Sequence, residues 1–268
     1  MFVLRRASLR AAPLAARALV PRLAPARTLC ASSTAAPSEA TPAPAHPRVI
    51  DELERLEQLP WAPLLRLAGT FSEAAWQGAA AGDLYYLVCE QSDRPEFFYE
   101  GHAALPDRYY TALQLRGLHC WLAYVRLRDE PRERHHTLFT ELMEKLWEQA
   151  GLDLTRGFGY GYIEMSKHLK QSQYAWHGSS RALDEALAAA DPAAAVAGVL
   201  ARNMYCDEEG EPYEEGGESP ASRWLADYCL RQLAHLRALP AEAVLKGRVD
   251  WAPIVGRSEV EAATAAQL

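Results

Sequence analysis

The chain has 268 residues, of which 49% are hydrophobic and 24% are charged. This is the composition of an ordinary globular protein, and the chain is long enough to form one sizeable core. The 28 Lys and Arg against 35 Asp and Glu give a formal net charge of −7. No uninterrupted run of 18 apolar residues occurs, so a membrane-spanning helix is not expected.

The first 38 residues differ from the rest because they are basic and contain no acid. They hold six arginines among Ala, Ser, Leu and Pro. This composition is typical of an organelle transit peptide, mitochondrial or chloroplast, and a disordered basic tail is the alternative. Without these arginines, 22 basic residues face 35 acidic ones, a net charge of about −13. Direct nucleic-acid binding is therefore not expected, since phosphate contacts need clustered Lys and Arg.

A linker and two helices are predicted next. Residues 39–47, EATPAPAHP, form a Pro/Ala linker that should not pack. The segment VIDELERLEQL then places Ile50, Leu53 and Leu56 on one helical face. The segment SEAAWQGAAAGDLYYLVCEQS predicts a second helix with Ser72 as its N-cap. Within it, LYYLVC alone could be read as a strand.

The next two helices have the clearest apolar periodicity. Pro106 and Asp107 are predicted to cap the first of them, and Pro131 suits the first turn of the second. Gly151 is predicted to end the second as a C-terminal cap. The apolar residues at helical spacing are Leu115, Leu118, Leu122 and Val125 in the first helix and Leu138, Phe139, Leu142, Met143 and Leu146 in the second.

Three further helices complete the pattern. In the first, apolar residues recur at Tyr162, Met165, Leu169 and Trp176. The second begins with Asp191 as N-cap before Pro192, and the third repeats this arrangement with Ser219 and Pro220. The acidic segment 206–219 predicts a solvated loop, without the spacing of a calcium loop. The pattern predicts an all-α fold, one domain of about seven or eight helices.

Motifs that carry chemistry are few. His119 and Cys120 are adjacent on a helix, so their side chains point about 100° apart and cannot form a dyad. The stretch RGFGYGYIEMSK lacks the spacing of a nucleotide-binding loop and is interpreted as a helix-to-helix connection. No metal-ligand spacing occurs, and the cysteines are interpreted as buried thiols. Arg126 and Arg128 are interpreted as a solvated rim.

The stretch LPDRYYTALQLRGLHCWLAYVRLRDE resembles the signature of the ubiquinol–cytochrome c chaperone family, in which an aromatic segment precedes Leu-His-x-Trp and Val-Arg-Leu. The matching residues are Phe97, Phe98, Tyr99, Pro106, Asp107, Leu118, His119, Trp121, Val125, Arg126 and Leu127. The segment LFTELMEKLWEQ and the tail with Gly247, Val249, Trp251 and Pro253 are also similar. The resemblance spans about residues 70–256, and the acidic loop and Cys120 depart from the family pattern.

This resemblance implies a non-enzymatic assembly factor for respiratory complex III, without cofactor or metal. Such a protein would bind newly made cytochrome b together with a small partner assembly factor. It would act near the mitoribosome exit, as a peripheral protein on the matrix side of the mitochondrial inner membrane. The expected division is a mitochondrial transit peptide (1–38), a linker with a short helix (39–69), the chaperone domain (70–256) and a tail (257–268).

The aromatic density around the signature suggests a hypothesis about client binding. We expect a groove for the client or partner that is lined by Phe97, Phe98, Tyr99, Tyr109, Tyr110, His119, Trp121, Tyr124 and Arg126. Tryptophan and tyrosine suit such a surface because each ring is apolar with one polar edge. The alternative is that these rings fill the core. Two other functions stay open: a structural subunit of a respiratory complex or mitoribosome, and a small enzyme that uses Cys120.

Overall fold

A computed structural model describes residues 48–98, 101–205 and 219–256. These residues form helices joined by short connections, and the predicted all-α class is confirmed. The helices are α1 (Val49–Glu57), α2 (Ala62–Leu67), α3 (Glu73–Ser92), α4 (Tyr109–Leu127), α5 (Arg132–Leu152), α6 (Tyr162–Leu187), α7 (Pro192–Met204), α8 (Pro220–Ala238) and α9 (Ala241–Leu245). Two of these nine, α2 and α9, are short and were not predicted. None of the nine is both long and apolar enough to cross a bilayer.

Several predicted features lie outside the described residues. These are the transit peptide and linker before residue 48, the tail after residue 256, and the acidic segment 206–218. Tyr99, one of the predicted groove residues, also lies outside them.

The helix caps predicted at Ser72, Asp191 and Ser219 are confirmed. The Ser72 hydroxyl accepts a hydrogen bond from the Ala75 amide at 3.3 Å, and Asp191 caps α7 through the Ala194 amide at 3.1 Å. Ser219 begins α8 in a reciprocal capping box with the hydroxyl of Ser222. These side chains satisfy amide groups that lack a partner inside the first turn.

Two predicted helix ends are wrong. Pro106 and Asp107 do not cap α4, which begins at Tyr109 after an extended Arg108 and has no side-chain cap. Gly151 does not end α5, because the helix runs to Leu152 and continues into a π-helical turn over Asp153–Gly157. Burial of Leu154 in that turn favours the continued winding.

Helix α4 occupies the centre of the bundle. It packs against α3, α5, α6, α7 and α8. A helix that is surrounded in this way must be apolar or internally satisfied around its whole circumference. The predicted stripe Leu115, Leu118, Leu122 and Val125 is buried, and so are Leu113, Cys120 and Leu127 on its other sides.

Helix α1 is fixed to α3 by a buried carboxylate. Asp83 of α3 is 3% exposed and accepts hydrogen bonds from the Val49 and Ile50 amides at 2.9 and 3.0 Å. It therefore caps the N-terminus of a helix that lies 33 residues earlier in the chain. Arg248 and Lys246 pair with Glu54 on the same helix. The short N-terminal helix is thus packed onto the bundle.

The segment that follows α9, here called the closing segment (residues 246–256), packs along α3 and α8. Gly247 adopts φ = +66°, and a Cβ atom there would lie 2.2 Å from the Ala80 carbonyl oxygen of α3. Trp251 then donates its indole N–H to the Leu87 carbonyl at 3.1 Å. Gln232 of α8 exchanges two hydrogen bonds with the backbone of Ala252, at 2.8 and 2.9 Å. The similarity of this tail to the family's closing segment therefore has a packing cause.

Replacing Gly247 by Ala should destabilise the protein, because the methyl group would meet the backbone of α3 and the left-handed conformation disfavours a side chain. We expect the free energy of unfolding to fall by about 2 kcal/mol or more. Gly178→Ala is the matched control, since Gly178 lies within α6 with no atom within 4 Å of a new Cβ. It should raise stability by about 0.5–1 kcal/mol. Denaturant unfolding of both variants measures the difference, and equal effects would contradict the packing argument.

Candidate functional site

The histidine of the signature lies in a buried polar network. His119 is fully buried, and its Nδ1 lies 2.8 Å from the Leu115 carbonyl and 3.0 Å from the Ser92 hydroxyl. Its Nε2 lies 2.8 Å from the Tyr228 hydroxyl, which also accepts a hydrogen bond from the Gln91 amide at 3.0 Å. The Ser92 hydroxyl donates to the Val88 carbonyl. This network assigns the proton to Nδ1, so that Nε2 accepts from Tyr228.

The surroundings of His119 keep its imidazole neutral. Burial lowers its pKa from 6.5 to about 4, and the bond to the Leu115 carbonyl offsets only part of that effect. The rings of Phe97 and Trp251 meet it edge to face at 5.7 and 5.1 Å between centroids. The histidine therefore joins α3, α4, α8 and the closing segment, and it has no access to solvent as an acid or base.

The signature tryptophan is also part of the core. Trp121 is 1% exposed, and its indole N–H donates to the Asp184 carboxylate of α6 at 3.0 Å. Arg128 binds both oxygens of the same carboxylate, at 2.8 and 2.9 Å. The Arg128 guanidinium also lies 4.9 Å above the ring of Tyr124, which stacks on Phe139 at 4.0 Å. One carboxylate thus connects the buried tryptophan to a half-buried aromatic surface.

Arg126 is not part of a solvated rim, and that interpretation is wrong. Its side chain is 5% exposed and donates to the carbonyls of Leu236 and Leu239, at 3.0 and 3.2 Å, where α8 ends. Glu130 completes the site at 2.9 Å. A cation at the C-terminus of a helix binds carbonyls that have no partner within the helix. Arg126 therefore fixes the end of α8 against α4.

The eight predicted groove residues that the structure describes do not form one exposed surface. Phe97, His119, Trp121 and Arg126 are buried. Phe98, Tyr109 and Tyr124 are half-buried, and Tyr110 is 44% exposed. The four buried side chains therefore belong to the core, which was the alternative to a groove. Partner binding by the more exposed ones stays a prediction.

A small cavity lies beside Trp121, between α4, α6 and α7. Gly117 permits α4 and α6 to approach closely here, since a Cβ atom on Gly117 would lie 2.8 Å from the Trp176 ring. The cavity has a volume of about 20 Å³, with Gln114, Ser179 and Asn203 among its lining residues. That volume accommodates about one water molecule and no apolar side chain of a client. This cavity is therefore too small to receive a side chain of another protein.

The described residues offer no reactive thiol or metal site. Cys120 is fully buried, and burial raises the pKa of its thiol, so the nucleophilic thiolate is disfavoured. Cys229 is buried in the same way, and Cys89 is half-buried with a raised pKa. No group of three metal-ligating side chains occurs within the described ranges.

Two exposed apolar surfaces were missed by the sequence analysis. One is on α2, where Trp61, Leu64 and Leu67 are 54–88% exposed. The other is on α6, where Tyr162 is 79% exposed although its spacing assigned it to the core face. Tyr162 precedes the part of α6 that packs on the bundle, so the periodicity has no core to face there. The sequence did indicate this surface, because Ile163 and Tyr174 are apolar residues on the otherwise polar side of α6.

Stability should depend on pH through His119. Its pKa is lower in the folded state than in the unfolded state, so its contribution is present above pH 6.5 and is lost as pH falls towards about 4. At pH 5 the loss should be about 2 kcal/mol. In His119→Gln this dependence should disappear, whereas His177→Gln, at an exposed position on α6, should retain it. Denaturant unfolding at pH 7.5 and 5 tests this, and parallel losses in all three proteins would refute it.

Comparison with known proteins supports the family resemblance. The family model described as ubiquinol-cytochrome C chaperone matches residues 101–251. Ubiquinol-cytochrome-c reductase complex assembly factor 1 from Xenopus laevis is 25% identical over 179 residues, which cover 66% of this chain and 82% of that protein. The crystal structure of the Cbp3 homolog from Brucella abortus shares the fold, with a TM-score of 0.58 and 24% identity over 71% of this chain and 97% of that one. Because the family model matches more than half of the sequence, this chain belongs to the ubiquinol–cytochrome c chaperone family.

Proposed function

We propose that this protein is a mitochondrial assembly chaperone for ubiquinol–cytochrome c reductase, complex III. In this role it binds newly made cytochrome b with a small partner protein, on the matrix side of the inner membrane and near the mitoribosome exit. The observation that carries the proposal is the family match over residues 101–251. The basic, acid-free composition of residues 1–38 supports import into mitochondria.

A chaperone of this kind must hold apolar helices before they are assembled. Its surface therefore needs exposed apolar side chains, and such side chains are present on α2. A binding role needs no reactive thiol, whereas the enzyme alternative depended on Cys120, which is buried and protonated. These properties favour client binding over catalysis.

Within the signature helix, we assign client or partner contact to Tyr110 and Tyr124. Tyr110 is exposed in the first turn of α4, and Tyr124 presents a half-buried ring that is held by Phe139 and Arg128. The buried Phe97, His119, Trp121 and Arg126 act indirectly, by fixing the position of α4. Phe98 and Tyr109 are half-buried and flank the start of that helix.

Substitutions at exposed and buried aromatic positions should have different effects. Tyr110→Ala should lower the free energy of unfolding by only about 1 kcal/mol, through the lost hydrogen bond from the Gln114 amide, and should reduce the cytochrome b that co-purifies. Tyr86→Ala is the matched control, because Tyr86 is 41% exposed on α3, outside the signature helix. Trp121→Ala should lower stability by about 3–5 kcal/mol. Thermal melts and quantitative pull-downs measure both effects. A folded Tyr110→Ala that retains its client would remove Tyr110 from the proposed contact.

Affinity purification from mitochondria tests the function itself. We expect newly made cytochrome b and a small partner protein to co-purify in early assembly intermediates, and the chain to be absent from mature complex III. Stoichiometric presence in the mature complex would instead indicate a structural subunit. A purification that retains neither cytochrome b nor a small partner would refute the chaperone function.

A further inference from the structure

The first half of α6 carries an exposed face that combines apolar and basic side chains. Ile163, Lys167, Lys170 and Tyr174 follow one another at spacings of four, three and four residues, which places them on one side of the helix. Ile163 is 83% exposed and Tyr174 66% exposed, and Tyr162 beside them is 79% exposed. We call these five residues the α6 face. Packing against the rest of the described chain leaves it open.

The charge of this region is opposite to that of the whole protein. Residues 156–181 contain four basic residues and one acidic residue, a net charge of +3, whereas the chain carries −7. Arg181 is paired with Glu185. Lys167 and Lys170 form no ion pair with any described residue, and Lys170 lies 5.8 Å from the centre of the Tyr174 ring. The α6 face thus presents two cations among apolar groups.

The glycine-rich connection before α6 is held against the helix. The ring of Tyr160 stacks on His168 at 4.9 Å, and Phe158 lies 5.9 Å from Tyr160 and 5.1 Å from Tyr109. These contacts pack the connection against the first turns of α6, where Tyr162 and Ile163 are exposed. The connection that lacked nucleotide-binding spacing therefore helps to fix the start of the helix that carries these two apolar side chains.

We propose that the α6 face binds the surface of a membrane that contains anionic lipids. The two lysines contact lipid phosphates, Ile163 enters the boundary between headgroups and acyl chains, and the tyrosines lie at the headgroup level. Helices that lie in an interface combine basic and apolar side chains in this way. The proposal rests on the proposed function for the identity of the membrane, the mitochondrial inner membrane. It adds which part of the chain makes the contact.

The composition of the face favours lipid over RNA. Nucleic-acid binding depends on many phosphate contacts, and two unpaired lysines supply few. An exposed isoleucine contributes nothing to phosphate recognition, whereas it gains free energy on leaving water at a bilayer surface. The apolar residues of α2 lack this combination, because Arg66 beside them is paired with Glu57. The face on α6 therefore has the charge complementarity with anionic lipid that the α2 surface lacks.

Vesicle flotation of the full chain, purified after recombinant expression, tests the proposal. The vesicles contain phosphatidylcholine alone or with 20% cardiolipin. Lys167→Gln with Lys170→Gln should weaken binding to the anionic vesicles roughly tenfold to thirtyfold, given about 1 kcal/mol per basic residue near such a surface. Ile163→Ser with Tyr174→Ser should weaken it about tenfold. Any binding through residues 1–38 is the same in each variant, so the difference isolates the α6 face.

Matched controls separate this surface from general stickiness. Leu64→Ser with Leu67→Ser removes exposed apolar side chains from α2, and Arg132→Gln with Arg202→Gln removes exposed charges elsewhere. Both should bind the vesicles as the unmodified protein does, and all variants should keep its melting temperature. Equal binding to neutral and anionic vesicles, or equal loss in the controls, would overturn the proposal.

Two further outcomes would also overturn it. The α6 variants could bind vesicles normally and lose binding to ribosomal RNA, which would assign the face to RNA. They could instead bind vesicles normally and lose the small partner protein, which would assign it to a protein interface. Cytochrome b capture in detergent solution is measured in parallel. If the α6 variants lose vesicle binding but still capture cytochrome b, the result supports membrane binding by the α6 face. If the unmodified protein does not capture cytochrome b, the result refutes only the proposed function.

Discussion

The hydrogen-bonded imidazole of His119 connects the parts of the chain on which this fold depends. A neutral histidine can donate through one ring nitrogen and accept through the other, and here both nitrogens are used inside the core. Tyr228 brings α8 to this point, Ser92 brings α3, and Trp251 brings the closing segment. A buried polar group is tolerated only when its partners are in place. The network therefore specifies how these elements pack around α4.

Other hydrogen bonds of the signature residues likewise attach α4 to its neighbouring helices. Arg126 binds the carbonyls that end α8, and Asp184 binds Trp121 and Arg128 together. The bonds to Arg126 and to the Trp121 indole satisfy groups that would otherwise be buried without a partner, and the two sites join α4 to different helices. The signature residues thus serve mainly to fix α4 in the centre of the bundle. Its residues serve function by holding the outer surfaces in position.

Those outer surfaces are where partners can act. The cavity beside Trp121 accommodates about one water molecule, so it is too small to receive a side chain of another protein. The α2 surface and the α6 face differ in charge, which suits them to different partners. The proposed function would use one surface for the client and another that keeps the protein at the bilayer. The proposed membrane contact through α6 leaves α2 and Tyr110 available for proteins.

The sequence by itself determined seven of the nine described helices and much of the core. Leu115, Leu118, Leu122 and Val125 predicted the buried α4, and Ser72, Asp191 and Ser219 marked three helix starts, because periodicity and capping are local properties. The ordered signature also indicated the family.

Only the tertiary structure decided which signature residues face the core, since α4 is apolar on all sides and its periodicity selects no outer face. It placed Arg126 inside because the partner carbonyls lie 110 and 113 residues away. It left Tyr162 and Ile163 exposed because no described element packs over these two side chains.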